Sequence, residues 1–426
     1  MFRTASGIEQ YQELEDSKNQ NKNINATIIS KHSGFGDILY AIASPARYVG
    51  NKFKAGSLKG AIFALITWIL GGGTISLPYL SAVNGIVIAS ALIVFGAAVS
   101  YFWGMLLVKW AEIVGSDKYE DFARYWYGNK PMKIVGVWII ITMDSYAVSY
   151  IVFIKTLIPQ FLVLILGSDN VPEYLGKGQW RGEIFWASIY TFLILIPLSM
   201  PRKINTLRFT SIFGVIWTFY LIMCLVFMFF FDKSLVPNIS DNFKNAFYFK
   251  ITFEGLVRSV PFVYFAFLYQ PWIPIIYREL NQRNYRRMGK VIIRGSGIAV
   301  FLYILASWFG YLGLVSHPDY IELLLLKNNI LEIDYGNWAF NIAVVCIMVA
   351  IFAVTPFCIL PAKDTFEELF WANSKMSNKQ NVIVTLVMSL TCYGLAVSIA
   401  GIGDAITILG WMMNPLIKLI FPVVFF

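Results

Sequence analysis

Residues 69–79 read ILGGGTISLPY and interrupt the first long apolar segment of the chain, at about residues 58–83. Each of the three consecutive glycines weakens a helix by about 1 kcal/mol relative to alanine, and Pro78 removes a backbone donor. In a lipid bilayer, backbone groups freed in this way are tolerated only where protein, water or a ligand satisfies them. Glycines also serve close helix packing, but a triplet followed by Thr-Ile-Ser-Leu-Pro favours a helix opened at membrane depth.

The composition places the chain in a membrane. Of its 426 residues, 58% are hydrophobic and 14% are charged, whereas soluble domains are about 25% charged. A window of about 20 apolar residues predicts ten spans, so the expected fold is an all-α polytopic membrane protein. The spans are roughly 58–83, 85–111, 134–166, 184–200, 207–231, 254–278, 290–315, 337–362, 382–401 and 404–426.

The basic residues orient these spans. Most of the 34 lysines and arginines fall in the N-terminal region and in the loops after the second, fourth, sixth and eighth spans. The positive-inside rule therefore predicts a cytosolic N-terminus, and the net charge of +9 is explained by anionic lipid rather than by a nucleic-acid partner. Residues 1–57 are predicted to be a disordered or peripheral cytosolic region, and residues 58–426 the membrane domain.

The sixth span carries a second interruption. Pro261, Pro271 and Pro274 surround Gln270 at membrane depth. A proline kink would explain this segment alone, but the first and sixth spans are the first members of two five-span halves, about 58–231 and 254–426. Interrupted segments at matching places in two halves point to a transporter's binding site. The halves are expected to be inverted repeats, because five spans reverse the direction of entry.

The two breaks predict opposite chemistry. Free N–H groups at the start of a half-helix favour a carboxylate, and free carbonyls at the end of another favour an ammonium group. A site with both preferences suits the zwitterion of an amino acid. The substrate-binding candidates are Gly71, Gly72, Gly73, Thr74, Tyr264, Phe265, Ala266 and Phe267.

Six motifs in a fixed order resemble one known family. The first is the glycine-rich break with Leu77-Pro78-Tyr79, and the fourth runs through the sixth span from Arg258 to Leu280. The others are Tyr119-Glu120-Asp121-Phe122-Ala123 with Gly128, Pro197-Leu198-Ser199 followed by Leu207-Arg208-Phe209-Thr210-Ser211, Gly310-Tyr311-Leu312-Gly313, and Thr355-Pro356 with Pro361 and Lys363. Together they resemble the amino acid/auxin permease family, within the amino acid-polyamine-organocation superfamily, over about residues 57–424.

The resemblance implies an amino acid transporter with a five-plus-five inverted-repeat fold and its substrate held at the breaks in helices 1 and 6. This sequence departs from the family pattern in two places. Members usually carry an eleventh helix, whereas the sequence ends after the tenth predicted span. Many relatives also have a histidine where this chain has Tyr269-Gln270, which affects substrate choice and pH response.

Coupling of transport to H⁺ or Na⁺ is expected, and the candidate residues differ for the two ions. Asp144, about ten residues into the third span, is a candidate proton carrier because intramembrane carboxyls are functional by default. A sodium ion would use carbonyls of Leu70 and Gly71 with the hydroxyl of Thr355. Since Thr355 is the only hydroxyl just before Pro356, the sequence favours proton coupling or none. No metal or cofactor is expected.

Other function classes fit the sequence less well. An enzyme would need clustered His, Asp or Glu within the spans, and a channel would need a polar stripe or a filter loop. An amino acid sensor with little flux, or a transporter of another small amine or carboxylate, stays open. The expected location is the plasma membrane or an endolysosomal or vacuolar membrane.

Overall fold

A computed structural model gives the fold of the chain. It describes residues 56–167, 170–176, 179–201, 207–371, 376–413, 415–416 and 420–424. The predicted cytosolic region, 1–57, lies outside the described residues except for its last two. Residues 61–426 cluster as one compact unit, and the described part of the chain is helical without a strand.

The helices of the first half are α1 (Leu58–Ile69), α2 (Leu77–Asn84), α3 (Ile86–Val114), α4 (Tyr119–Tyr127), α5 (Asn129–Leu166), α6 (Trp180–Tyr190), α7 (Ile196–Ser199), α8 (Leu207–Phe231) and α9 (Ile239–Asn245). Those of the second half are α10 (Phe253–Ala266), α11 (Ile273–Glu279), α12 (Tyr285–Leu312), α13 (Pro318–Lys327), α14 (Trp338–Val354), α15 (Pro356–Phe370), α16 (Asn378–Ser398), α17 (Ile402–Ile408) and α18 (Phe421–Val424).

The predicted polytopic architecture is confirmed. Seven helical spans within the described ranges are long and apolar enough to cross a membrane, and the bent pair at the start of the chain makes an eighth. Two shorter apolar helices, Trp338–Phe352 and Ile402–Met412, lie where the eighth and tenth spans are predicted.

The two interrupted spans run in opposite directions. Near the end of α2, the Asn84 amide donates to the Ser259 hydroxyl (2.6 Å) in the first half of α10. Near the end of α1, the Trp68 ring stacks at 3.5 Å on Trp272, which directly precedes α11. Thus α2 lies beside α10, and the end of α1 lies beside the turn that precedes α11, which is the antiparallel arrangement that inverted repeats predict.

The two ends of the helix bundle are closed differently. The inner end, which the basic residues predict to be cytosolic, is tied by ion pairs between Lys118 and Glu368 and between Arg278 and Asp117 (2.7 Å). At the opposite, outer end, the segment after α13 covers the first break. There the N–H of Ile330 donates to the carbonyl of Ile75 (3.1 Å).

A buried lysine joins three helices near the inner end. The Lys363 side chain of α15 is 3% exposed. Its ammonium donates to the Ser199 carbonyl of α7 (2.7 Å) and, on α16, to Asn381 Oδ1 (3.1 Å) and Thr385 Oγ1 (3.0 Å). A buried ammonium needs such oxygen acceptors, so Lys363 fixes the packing of α15 against α7 and α16.

We expect Lys363→Met to destabilise the protein by about 1–3 kcal/mol, because it leaves buried acceptors without their donor. Lys379→Met, on an exposed position of α16, is the matched control. Heating both variants in detergent and measuring the remaining monomer by size-exclusion chromatography tests the prediction. Equal melting temperatures for the two variants would show that the Lys363 contacts do not hold the helices together.

Candidate functional site

The first span opens where the glycines predict. Helix α1 ends at Ile69, a 3₁₀ turn spans Gly72–Ser76, and α2 starts at Leu77, with a bend of 47° between the two halves. The N–H of Thr74 donates to the Gly71 carbonyl (3.1 Å). The N–H groups of Gly71, Gly72 and Gly73 have no acceptor in the described part of the chain, as the first turn of a helix requires.

The sixth span opens after Ala266. A short 3₁₀ turn, Gln270–Trp272, precedes the restart of the helix at Ile273. The fully buried Gln270 accepts the N–H of Tyr269 through its Oε1 (3.1 Å). The predicted interruption by prolines and a buried glutamine is therefore present, and the irregular backbone lies at residues 267–269.

The two breaks face and touch each other. A Cβ atom added at Gly73 would lie 2.8 Å from the Cα of Ala266, closer than real Cβ contacts occur. At Gly72 the nearest atom of the sixth span is in the Phe265 ring, 3.8 Å away. Only glycine at position 73 allows the backbones to approach this closely.

Tyr303 joins the two breaks from α12. Its fully buried hydroxyl lies 2.5 Å from the Ile69 carbonyl, at the end of α1, and 2.9 Å from the Ala266 carbonyl, at the end of α10. One phenolic proton is thereby shared between the last carbonyls of two half-helices. The Ala266 carbonyl, expected to be free for an ammonium group, already has this donor.

Two cavities meet at Gly71 and Gly72. The larger, about 110 Å³, extends between the first break, α8 and α14; the smaller, about 80 Å³, extends between the first break, α5 and the sixth span. The larger is lined by Thr67, Trp68, Leu70, Gly71, Gly72, Ile75, Tyr150, Gly214, Trp217, Thr218, Leu221, Ile347, Ala350, Ile351 and Val354. The smaller is lined by Trp68, Ile69, Gly71, Gly72, Gly73, Met143, Tyr146, Tyr150, Phe265, Leu268, Pro271, Trp272, Val354 and Cys358.

The predicted substrate-binding residues divide between the cavities and the packing behind them. Gly71 and Gly72 line both cavities, and Gly73 and Phe265 line the smaller one. The other four candidates, Thr74, Tyr264, Ala266 and Phe267, line neither. Phe267 is fully buried with its ring 5.3 Å from that of Tyr303, so it supports the break from behind.

The sodium candidates do not converge on one cavity. Leu70 and Gly71 line the larger cavity, where α14 presents Ile347, Ala350, Ile351 and Val354. Thr355 is fully buried, lines neither cavity, and donates its hydroxyl proton to the Ile351 carbonyl (2.8 Å). Because a sodium site needs several oxygen ligands together, this arrangement does not favour one.

Asp144 lies one layer behind the smaller cavity. It is partly buried on α5, and its Oδ1 atom is buried without a hydrogen-bond partner among the described residues. The titratable side chains beside it are the thiols of Cys358 on α15 and Cys392 on α16. The described ion pairs do not include Asp144.

The smaller cavity adjoins a larger space toward the inner end. The stacked rings of Trp68 and Trp272, whose planes differ by 10°, lie at this boundary. Below it lies a vestibule of about 430 Å³ that shares Met143, Pro271 and Trp272 with the smaller cavity. The two spaces are therefore neighbours, with Trp272 in the lining of both.

The vestibule is charged, unlike the cavities. Its lining includes Asp117, Lys118, Glu120, Glu279 and Asp364. Burial raises the pKa of the Glu120 carboxyl, although a hydrogen bond from the Thr365 hydroxyl (2.8 Å) acts in the opposite direction. Among the described lining residues of these three spaces, the charged ones therefore all belong to the vestibule.

Several residues of the site carry no distinctive signal in the sequence. Tyr303 looks like one of many aromatic residues within a predicted span, and the one available signal is that a buried phenol needs a hydrogen-bond partner. Trp68 and Trp272 look like residues of an interfacial aromatic belt. Their stacking depends on how the first and sixth spans are aligned against each other, and the sequence alone does not specify that alignment.

Two solved structures are similar to this chain. Among solved structures, that of MhsT in complex with L-phenylalanine is similar at a TM-score of 0.55 and 13% identity, covering 85% of this chain and 87% of that one. A substrate-bound, outward-open Na⁺-coupled sialic acid symporter matches at a TM-score of 0.47 and 11% identity, covering 86% and 78%.

The similarity to MhsT shows a shared fold. At the level of sequence, the profile of the family described as "Transmembrane amino acid transporter protein" matches residues 54–426, which include both broken spans and both cavities. The chain belongs to the transmembrane amino acid transporter family.

Proposed function

We propose that the protein is a secondary transporter that binds one amino acid zwitterion between the two breaks and moves it by alternating access. The observation that carries this proposal is a run of three cavity-lining residues, Gly71, Gly72 and Gly73, whose N–H groups have no acceptor among the described residues. They stand at the N-terminal end of the half-helix that leads into α2, where the helix dipole favours a carboxylate.

The ammonium group has a complementary position. Helices α1 and α10 both end at the site, at Ile69 and Ala266, and the C-terminal end of a helix favours a cation. The carbonyls there keep a second lone pair after accepting from Tyr303. One ligand could then bridge the N-terminal end of one half-helix and the C-terminal ends of two others.

The fold neighbour supports an amino acid as the substrate. MhsT, which shares the fold, was solved with the zwitterion L-phenylalanine. A vestibule lies at the inner end, and at the outer end the segment after α13 covers the first break. This difference between the two ends is consistent with access that alternates between the two sides of the membrane. Movement of the Trp68–Trp272 pair would connect the smaller cavity to the vestibule.

We also propose that transport is coupled to protons through Asp144. An ionised carboxylate whose Oδ1 atom is buried without a hydrogen-bond partner is unfavourable in a membrane, so the protonated form is stabilised there. Cys358 lies beside Asp144 and also lines the smaller cavity. A substrate-induced shift of α15 would therefore change the surroundings of the carboxyl group.

Uptake into proteoliposomes tests the site. Gly73→Ala forces the two breaks apart, because its methyl group would collide with the Ala266 backbone. We expect amino acid uptake to fall by about tenfold or more, the equivalent of at least 1.4 kcal/mol of lost binding. Gly297→Ala on α12 is the matched control, since a Cβ there meets open space.

Three outcomes separate the alternatives for this site. Equal uptake by the two glycine variants would contradict the proposed position of the site. Binding of an amino acid without uptake by the wild-type protein would indicate a sensor. Neither binding nor uptake of any amino acid by folded protein would overturn the proposed function.

Proton coupling has its own test. We expect Asp144→Asn to abolish the acceleration of uptake by an imposed pH gradient, because the neutral amide cannot carry a proton. Exchange of labelled for unlabelled substrate should persist. Asp404→Asn, an exposed carboxyl in the first turn of α17, should keep the acceleration. Acceleration that survives in Asp144→Asn, or that follows a sodium gradient instead, would contradict the assignment.

A further inference from the structure

The linings of the two cavities carry no ionised side chain. Their side chains are aliphatic, aromatic, hydroxyl or thiol groups, and none of the described lining residues is Asp, Glu, Lys, Arg or His. The polar groups of the two linings are the backbone groups of the breaks and neutral side-chain groups, namely hydroxyls, indoles and a thiol. A ligand's side chain would therefore meet a neutral surface.

Two of the three hydroxyl-bearing side chains of the larger cavity, Thr67 and Thr218, already donate to backbone carbonyls, and the third is the phenol of Tyr150. Thr67 donates to the Phe63 carbonyl (3.0 Å) and Thr218 donates to the Gly214 carbonyl (2.9 Å). Each hydroxyl has a single proton, so neither has one left for a ligand. The remaining wall is neutral and largely apolar: Ile75, Leu221, Ile347 and Ile351 form most of it, beside the Trp217 indole and the Tyr150 phenol.

Charged side chains near membrane depth are directed elsewhere. Lys155 pairs with Glu183 (3.4 Å) and donates to the Ile399 carbonyl (2.6 Å). Lys363 donates to Ser199, as described above, and Asp144 adjoins the two thiols. None of these groups lines either cavity, so none would neutralise a charged ligand side chain.

We propose that the transported amino acid has an uncharged, apolar side chain, because the cavities at the breaks provide backbone groups for its zwitterion and a neutral apolar wall for the rest. This inference rests on the proposed transport function. A lysine, arginine, aspartate or glutamate substrate would bury an unpaired charge against that wall, which is strongly unfavourable. Apolar side chains gain from leaving water.

Competition for uptake tests the inference on the wild-type protein. The assay measures uptake of labelled leucine into proteoliposomes in the presence of about a hundredfold excess of one unlabelled amino acid. That excess is enough for a competitor of similar affinity to displace leucine. We expect isoleucine, valine, methionine and phenylalanine to compete, and lysine, arginine, aspartate and glutamate not to compete. If leucine is not taken up, each of the other amino acids is labelled in turn. Uptake of a charged amino acid as efficient as that of the best apolar one would overturn the inference while supporting transport.

Val354 offers a gain-of-function test because it lines both cavities. Val354→Asp places a carboxylate in the wall, and we expect lysine to compete about tenfold better than against wild-type protein, in keeping with one new ion pair. Val354→Asn has nearly the same shape without charge and should gain nothing. A folded Val354→Asp variant with the wild-type profile would overturn the role of the neutral wall.

The outcomes distinguish this inference from the proposed function. Absence of uptake for every labelled amino acid overturns both, whereas uptake of charged amino acids overturns the inference alone. If Val354→Asp does not yield folded protein, the wild-type competition profile decides.

Discussion

The contact between Gly73 and Ala266 is the constraint on which the site depends. It brings the open backbone of two antiparallel spans into touch at membrane depth, and the Tyr303 hydroxyl joins the carbonyls of Ile69 and Ala266 at the same place. Moving the two breaks apart would separate the unpaired N–H groups of one from the helix ends of the other. The two cavities exist because these backbones open where they meet.

The surrounding lipid cannot hydrogen-bond to the open backbone at this contact. A membrane protein satisfies its backbone polar groups within its own helices, and irregular backbone persists only inside protein or along a cavity. The unpaired N–H groups at Gly71–Gly73 therefore favour binding of a group with hydrogen-bond acceptors. The described linings of the two cavities contain no ionised side chain, whereas five charged residues line the vestibule.

The sequence predicts much of the fold because its signals are local. Glycine triplets, prolines and apolar runs identify both breaks and the order of the spans without long-range information. Contacts between distant residues were not predictable in the same way. Tyr303 bridging Ile69 and Ala266, or Trp68 stacking on Trp272, depends on the register of helices far apart in the chain. Thr74 and Phe267 lie at the two breaks but line neither cavity.

Binding of truncated analogues tests the central claim that both breaks hold one zwitterion. For leucine, or whichever amino acid competes best, the analogues are the acid without the amino group and the amine without the carboxylate. If both charged ends are held, loss of either one should weaken competition by about 10- to 100-fold, as expected for hydrogen bonds to a charged group. Competition by the acid or the amine as strong as that of the amino acid itself would contradict the account.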